Sequence, residues 1–85
     1  MLSVEYFWDE HVLRYYISYN GMKEISDLEI IEYLNIKCDN YIKILKKYGA
    51  YRINNIYWFK TYNECKKCIN SKELLPYIMM KKLME

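Results

Sequence analysis

Turn and helix-capping signals constrain the fold most, because they divide the 85 residues into short segments that can share only one core. An Asn-rich pair accepts the positive φ angles of a tight turn, and Ser/Thr-x-x-Glu is the spacing of a capping box at a helix start. Four such signals occur, namely the turn pairs Asn20-Gly21 and Asn54-Asn55 and the capping boxes Ser26-x-x-Glu29 and Thr61-x-x-Glu64. They predict one domain, residues 1–85, in which hairpins and short helices alternate.

Two segments alternate as β-hairpins do. With a turn at residues 9–12, residues 3–19 place Val4, Tyr6 and Trp8 on the face that also carries Leu13 and Ile17. That face is apolar and the opposite one mixed, which predicts a sheet packed on the core through the apolar face alone. Asn20-Gly21 then leads into a short third strand or the next element. A second hairpin over residues 51–60 turns at Asn54-Asn55 in a type I′ turn, with Ile53 opposite Ile56.

The capping boxes predict the helices. A first helix begins at Ser26 and ends at Asn35, and a second runs from Asp39 to Tyr48 before Gly49. Thr61 opens a third helix with Cys65, Cys68 and Ile69 on one face, and a final short helix with Ile78, Met79 and Leu83 follows Pro76. The predicted fold is α+β, with an N-terminal hairpin extension (1–25), a helix-turn-helix (26–49), a hairpin wing (50–60) and C-terminal helices (61–85).

The order helix, tight turn, helix, hairpin, helix resembles a winged helix-turn-helix module. The apolar positions of that motif fall on Ile30, Leu34, Ile36, Tyr41 and Ile44, with Asn35 in place of the turn glycine. Ile31 departs from the small residue usual between the helices, which implies a wider separation or a different crossing angle. Residues 26 to about 70 are similar in pattern to small phage and mobile-element proteins of the excisionase and regulator type. The resemblance implies non-catalytic binding of duplex DNA, for recombination control or transcription regulation, as a homodimer or a cooperative array.

The charge distribution fits an anionic partner. The net charge is +2, but residues 1–36 carry −5 and residues 37–85 carry +7. In the second helix Tyr41, Ile44, Leu45 and Tyr48 face inward, and the outward face is largely basic. The predicted DNA-binding residues are Lys37, Asn40, Lys43, Lys46, Lys47, Arg52, Asn54 and Lys60. Asn40 and Lys43 are the predicted base readers, whereas Asp39 repels phosphate unless it only caps the helix. A basic stripe on an amphipathic helix is equally typical of a solvated face.

The aromatic content supports an alternative function. Fifteen aromatic residues, eleven of them Tyr, exceed what one small core needs, and Tyr and Trp are common at binding hot spots. The alternative is a small phage-encoded inhibitor of a host protein, such as an anti-CRISPR-type blocker whose acidic part stands in for nucleic acid. Its predicted contact residues are Phe7, Tyr16, Ile42 and Tyr57. Compositional drift in an AT-rich genome, which enriches Tyr, Ile, Asn and Lys, accounts for the same excess.

No residue pattern predicts catalysis, a metal site or a cofactor. Cys65 and Cys68 have C-x-x-C spacing and could with Cys38 and His11 complete a zinc site, but they lie on the apolar side of a helix, where Cys acts as a small hydrophobe. No nucleophile has an adjacent base. The longest apolar runs are too short to cross a membrane and no basic leader precedes one. These observations predict a cytoplasmic binding protein with reduced thiols and no small-molecule substrate.

Overall fold

The computed structural model describes residues 2–32 and 41–74. Within these ranges the chain forms two hairpins and three helices, so the domain is α+β as predicted. The elements are β1 (Leu2–Asp9), β2 (Val12–Tyr19), a 3₁₀ turn (Lys23–Ser26), α1 (described over residues 28–32), α2 (Tyr41–Lys47), β3 (Tyr51–Ile53), β4 (Ile56–Trp58), α3 (Tyr62–Ile69) and a second 3₁₀ turn (Lys72–Leu74). The predicted turn at Asn35, the helix start at Asp39 and the helix after Pro76 lie outside the described residues.

The register of the first hairpin is the predicted one. β1 pairs antiparallel with β2, with Val4 opposite Ile17 and Trp8 opposite Leu13, and Glu10 in the turn has a φ of 57°. The prediction that one whole face packs on the core is wrong. Ile17 is buried, but Tyr6 and Trp8 are exposed. An eight-residue strand spans about 26 Å and the eight-residue α3 that packs against it only about 12 Å, so the helix covers only part of the hairpin.

The opposite face of β2, predicted to be mixed and open, is also covered. Tyr16 and Ser18 are buried there, and the Tyr16 ring meets the Trp58 ring edge-on with centroids 5.7 Å apart. The second hairpin and the first 3₁₀ turn both pack against β2. β2 is therefore enclosed on both faces along its second half, and it forms the centre of the fold.

The outer edge of β2 is covered residue by residue. Tyr15 and Phe59 exchange two backbone hydrogen bonds of 3.0 and 2.8 Å, which join the second hairpin to the first. Tyr19 and Met22 exchange two more around the Asn20-Gly21 turn, so the predicted third strand is a single bridge. At Ile17, which lies between Tyr15 and Tyr19 on this edge, the Ser26 hydroxyl accepts from the backbone N–H and donates to the backbone carbonyl, each at 3.0 Å.

This use of its hydroxyl shows that the predicted capping box at Ser26 is wrong. Ser26 is buried against β2 and closes a 3₁₀ turn, and α1 begins two residues later. The Leu28 N–H donates to the Asn55 carbonyl of the second hairpin, and the Ile31 N–H donates to the Asp27 carbonyl at 3.0 Å. The Ile31 bond is the i to i−4 bond of the helix itself, and the Leu28 N–H has a tertiary partner in the second hairpin, since the Ser26 hydroxyl is bonded to Ile17.

The Thr61 cap is confirmed. Its side chain accepts from the Glu64 N–H at 3.2 Å and donates to the Glu64 carboxylate at 3.0 Å. The predicted α3 face is also confirmed, since Cys65 and Cys68 are fully buried and Ile69 nearly so. α3 thus supplies the helical side of a core that includes Ile17, Ile31, Leu45 and Phe59.

The second hairpin and the end of α2 largely match the sequence analysis. Ile53 opposes Ile56 as predicted, but Asn54 alone of its pair has positive φ (57°), so the turn is not the predicted type I′. α2 ends at Gly49, which has a φ of 97°. The Ala50 N–H donates to the Leu45 carbonyl and the Gly49 N–H to the Lys46 carbonyl, each at 3.0 Å. This is a Schellman motif, for which glycine is the favoured residue.

Candidate functional site

The turn end of the first hairpin exposes four large apolar side chains, which we call the aromatic tip. Their exposed fractions are 62% for Tyr6, 42% for Phe7, 58% for Trp8 and 49% for Val12. Alternation along the strands places Tyr6 and Trp8 on one face of the hairpin, and Phe7 and Val12 on the other. Clusters of this kind are uncommon on monomeric proteins and mark interaction sites.

The two faces of the tip differ in how they are held. The Lys23 ammonium lies 4.0 Å from the Phe7 ring centroid, and the Phe7 and Trp58 centroids are 5.9 Å apart. Phe7 and Trp58 line an open cleft of about 380 Å³ between the two hairpins, and the ion pair of Arg14 and Asp9 (2.6 Å) lies in the same cleft. Phe7 is therefore anchored within the protein. The Tyr6 and Trp8 rings make no ring contact with another described residue.

Acidic side chains surround the tip and continue onto α1. Glu5, Asp9 and Glu10 belong to the first hairpin, and Asp9 is the one that pairs with a base. Asp27, Glu29 and Glu32 line a second open cleft, of about 410 Å³, beside the turn of the second hairpin. Partial burial raises the pKa of Asp27, and Lys23 opposes the rise. Near the tip the acidic Glu5, Asp9 and Glu10 therefore outnumber the basic Arg14, which is paired with Asp9, and Lys23, which lies over the Phe7 ring.

The predicted protein-binding residues are mostly not available for contact. Tyr16 and Tyr57 are buried, and Ile42 is half-buried against the core. Phe7 alone of the four is exposed. The role of these residues in binding stays a prediction, and their burial differs from expectation because the sequence pattern predicted the Tyr6 and Trp8 face to be the packed one. Strand length was the sequence signal that could have corrected the predicted packing, since eight-residue strands are longer than the short helices available to cover them.

The predicted DNA-binding residues are divided between elements with different neighbours. α2 packs against the 3₁₀ turn Lys72–Leu74, whereas the second hairpin packs against β2 and the 3₁₀ turn Lys23–Ser26. The contiguous basic surface therefore stays a prediction. Six members of the predicted set are exposed and two lie outside the described residues. The exposed ones are Lys43, Lys46, Lys47, Arg52, Asn54 and Lys60, and the other two are Lys37 and Asn40.

Two of the exposed basic side chains already interact with other groups of the protein. The Lys47 ammonium lies 2.8 Å from the Glu73 carboxylate, a pair that raises the Lys47 pKa and lowers the Glu73 pKa. The Arg52 Nε donates to the Asn54 carbonyl at 2.8 Å. Lys43 and Lys46 form no ion pair with another described residue. They are accordingly the α2 lysines whose charge no described acidic side chain offsets through an ion pair.

The helix cysteines have an unreactive environment. Burial raises the pKa of both Cys65 and Cys68 to about 12, so that both are protonated thiols at neutral pH. Over residues 2–32 and 41–74, His, Cys, Asp and Glu side chains form no group of three suited to a metal ion. His11 is exposed in the turn of the first hairpin, and Cys38 lies outside the described residues.

Comparisons of the chain with protein-family models, with curated proteins and with solved structures found no match. No helix within the described part of the chain is long and apolar enough to cross a membrane.

Proposed function

We propose that this protein is a protein-binding module that contacts its partner through the aromatic tip. The observation that carries the proposal is the exposure of Tyr6 and Trp8, which lie side by side on one face of a hairpin and have no ring partner within residues 2–32 and 41–74. Exposed aromatic side chains have an unfavourable hydration free energy that burial at an interface recovers. Both residue types lose little side-chain entropy when they are fixed, which suits them to be hot spots.

The charge near the tip defines the chemistry of the partner. Residues 1–36 carry a net charge of −5, and Glu5, Asp9 and Glu10 flank the exposed rings. A partner with a basic surface around an apolar pocket complements this arrangement. A host protein whose own ligand is nucleic acid has such a surface. The proposed activity is therefore inhibition of a nucleic-acid-targeting host complex by occupation of its basic groove.

Capture experiments test this proposal. The protein is immobilised and exposed to a bacterial lysate with and without excess duplex DNA, and the retained proteins are identified by mass spectrometry. We expect the immobilised wild type to retain a nucleic-acid-binding protein, and we expect excess DNA to displace it. The Trp8→Ala variant should not retain that protein, since loss of a hot-spot residue costs roughly 2 kcal/mol, or about 30-fold in affinity. Met22→Ala is the matched control, because Met22 is equally exposed (60%) but lies outside the tip. Equal retention by the wild type and Trp8→Ala would contradict the proposal.

A second candidate function is binding to duplex DNA through α2, as the resemblance to winged helix-turn-helix proteins implies. The observation that favours it is the exposure of Lys43 and Lys46 without an ion-pair partner among the described residues. Binding through five or more phosphates should weaken with salt along a log-log slope on the order of −4 or steeper. Lys43→Ala should cost roughly 1–3 kcal/mol if this lysine reads a base.

The two functions separate on the same variants. In the DNA-binding function Trp8→Ala leaves the affinity for DNA unchanged and Lys43→Ala weakens it, and the protein-binding function predicts the reverse pattern for partner capture. The measurement is fluorescence anisotropy with mixed-sequence duplex DNA across a salt series. No binding at low salt excludes the DNA function.

A further inference from the structure

The hydrogen-bond pattern of the first hairpin shows which backbone groups of β1 point away from β2. In an antiparallel pair, opposed residues alternate between bonding each other and directing both groups outward. Tyr15 directs its N–H and C=O to Phe59, and Ile17 directs both of its groups to the Ser26 hydroxyl. Their opposed residues in β1 are Tyr6 and Val4, which therefore direct their own groups to the outer edge.

The same alternation places the N–H and C=O of Trp8 on the outer edge, two residues beyond Tyr6. These groups of Val4, Tyr6 and Trp8 form no hydrogen bond with another described residue. The contrast with β2 is direct, since Phe59, Ser26 and Met22 cover the outer edge of that strand. A row of backbone groups that no other residue of the described ranges bonds is a template for another strand.

We propose that the outer edge of β1, from Val4 to Trp8, accepts an extended segment of the protein partner as an additional antiparallel strand. The inference rests on the proposed function, because Tyr6 and Trp8 contribute both to this edge and to the aromatic tip. The backbone hydrogen bonds provide affinity without regard to sequence, and the side chains on each face of the added strand provide specificity.

The side chains of β1 define the sequence that fits. In the added strand, residues directly opposite Val4, Tyr6 and Trp8 share the apolar face with them. The residues at the positions in between share the other face with Glu5 and Asp9. The partner segment therefore alternates apolar and basic side chains. This pattern agrees with the proposed function, in which the partner has a basic surface that complements the acidic side chains of the hairpin.

A second copy of β1 fits the same edge less well. Pairing centred on Glu5 puts two Glu5 side chains opposite each other, and pairing centred on Phe7 puts Glu5 opposite Asp9. Pairing centred on Tyr6 avoids these repulsions but places no basic side chain of the second copy opposite Glu5 or Asp9. The charges of β1 therefore select a basic segment over self-association.

N-methylated peptides test the proposal, because the geometry links side-chain pattern to hydrogen bonding. Directly opposed residues share a face, so the apolar residues of the added strand are those whose N–H groups point to β1. The probe is the acetylated and amidated peptide Lys-Val-Lys-Ile-Lys-Val-Lys, measured by isothermal titration calorimetry against the whole protein. N-methylation of the apolar residues should raise the dissociation constant at least tenfold, and N-methylation of the lysines should change it less than threefold.

A substitution in the protein provides the reciprocal test. Val4→Pro removes an outward N–H from an edge strand, a position at which proline is tolerated, and Val4→Ala is the control that keeps the donor. We expect binding of the probe to be about tenfold weaker for the proline variant than for the alanine variant. Amide signals in a ¹⁵N–¹H spectrum identify the folded state of both, and the methylated peptides keep the test valid if the proline variant unfolds.

The outcomes distinguish this inference from the proposed function. Binding that Trp8→Ala abolishes but N-methylation leaves unchanged overturns strand addition and supports the aromatic tip alone. Absence of probe binding to the wild type also overturns strand addition, and the capture experiment still tests the tip. A dimer in sedimentation at micromolar concentration that Glu5→Lys strengthens would overturn the choice of a basic segment over a second copy.

Discussion

The Ser26 hydroxyl is the side chain whose removal we expect to be most informative about this fold. It takes the place that a neighbouring strand would have at Ile17, since it accepts from the Ile17 N–H and donates to the Ile17 carbonyl, both at 3.0 Å. Ser26 is 3% exposed, so water does not replace these bonds without rearrangement. Ser26→Ala leaves two buried backbone groups of Ile17 unsatisfied.

The expected cost follows from those two groups. A buried backbone group without a partner costs about 1–3 kcal/mol, and with about 1–2 kcal/mol for each of the two groups we expect Ser26→Ala to lower the free energy of unfolding by about 2–4 kcal/mol. A chain of this length has a total stability of roughly 4–13 kcal/mol, so the loss is a large fraction of it. The midpoint of thermal unfolding should fall by roughly 8–30 °C.

Urea unfolding followed by far-UV circular dichroism and tryptophan fluorescence measures this loss. Ser18→Ala is the matched control, because Ser18 is also buried, in β2, but its hydroxyl has no hydrogen-bond partner among the described residues. Its removal should leave stability unchanged or raise it by up to about 1 kcal/mol. A loss for Ser26→Ala below about 1 kcal/mol, or equal to that of the control, would refute the strand-like role of this hydroxyl.

Two further predictions concern the helix ends and the buried thiols. Gly49→Ala should destabilise by more than about 1 kcal/mol and by more than Gly21→Ala in parallel urea titrations, because both have positive φ but only at Gly49 would a Cβ meet a side chain, that of Glu64. Cys65 and Cys68 should resist iodoacetamide near pH 8 until the protein unfolds, as peptide mapping can show. Since burial raises both pKa values to about 12, their contribution to stability is present below about pH 9 and is lost between about pH 9 and pH 12, at about 1.4 kcal/mol per pH unit for each thiol.

The elements that the sequence predicts correctly are those fixed by local rules. Opposed residues in both hairpins follow from the turn position and the alternation of side chains, and the Thr61 cap follows from a hydroxyl and a carboxylate three residues apart. Ser26-x-x-Glu29 has the same spacing, but Ser26 does not cap the helix that follows it. A strand edge nine residues earlier in the chain competes for the hydroxyl, and no local pattern records that competition.

The candidate site was predicted less well than the fold, and for a related reason. Alternation identifies the Tyr6 and Trp8 face as apolar, but burial depends on whether a helix is long enough to reach it. α3 packs against both strands of the hairpin, yet Ile17 is buried whereas Tyr6 and Trp8 are exposed, so the same sequence pattern gives a core residue at one end of the face and exposed rings at the other. A long hairpin beside short helices therefore predicts an exposed tip, and the outer backbone groups of β1, which have no hydrogen-bond partner among the described residues, favour the strand-forming partner proposed above.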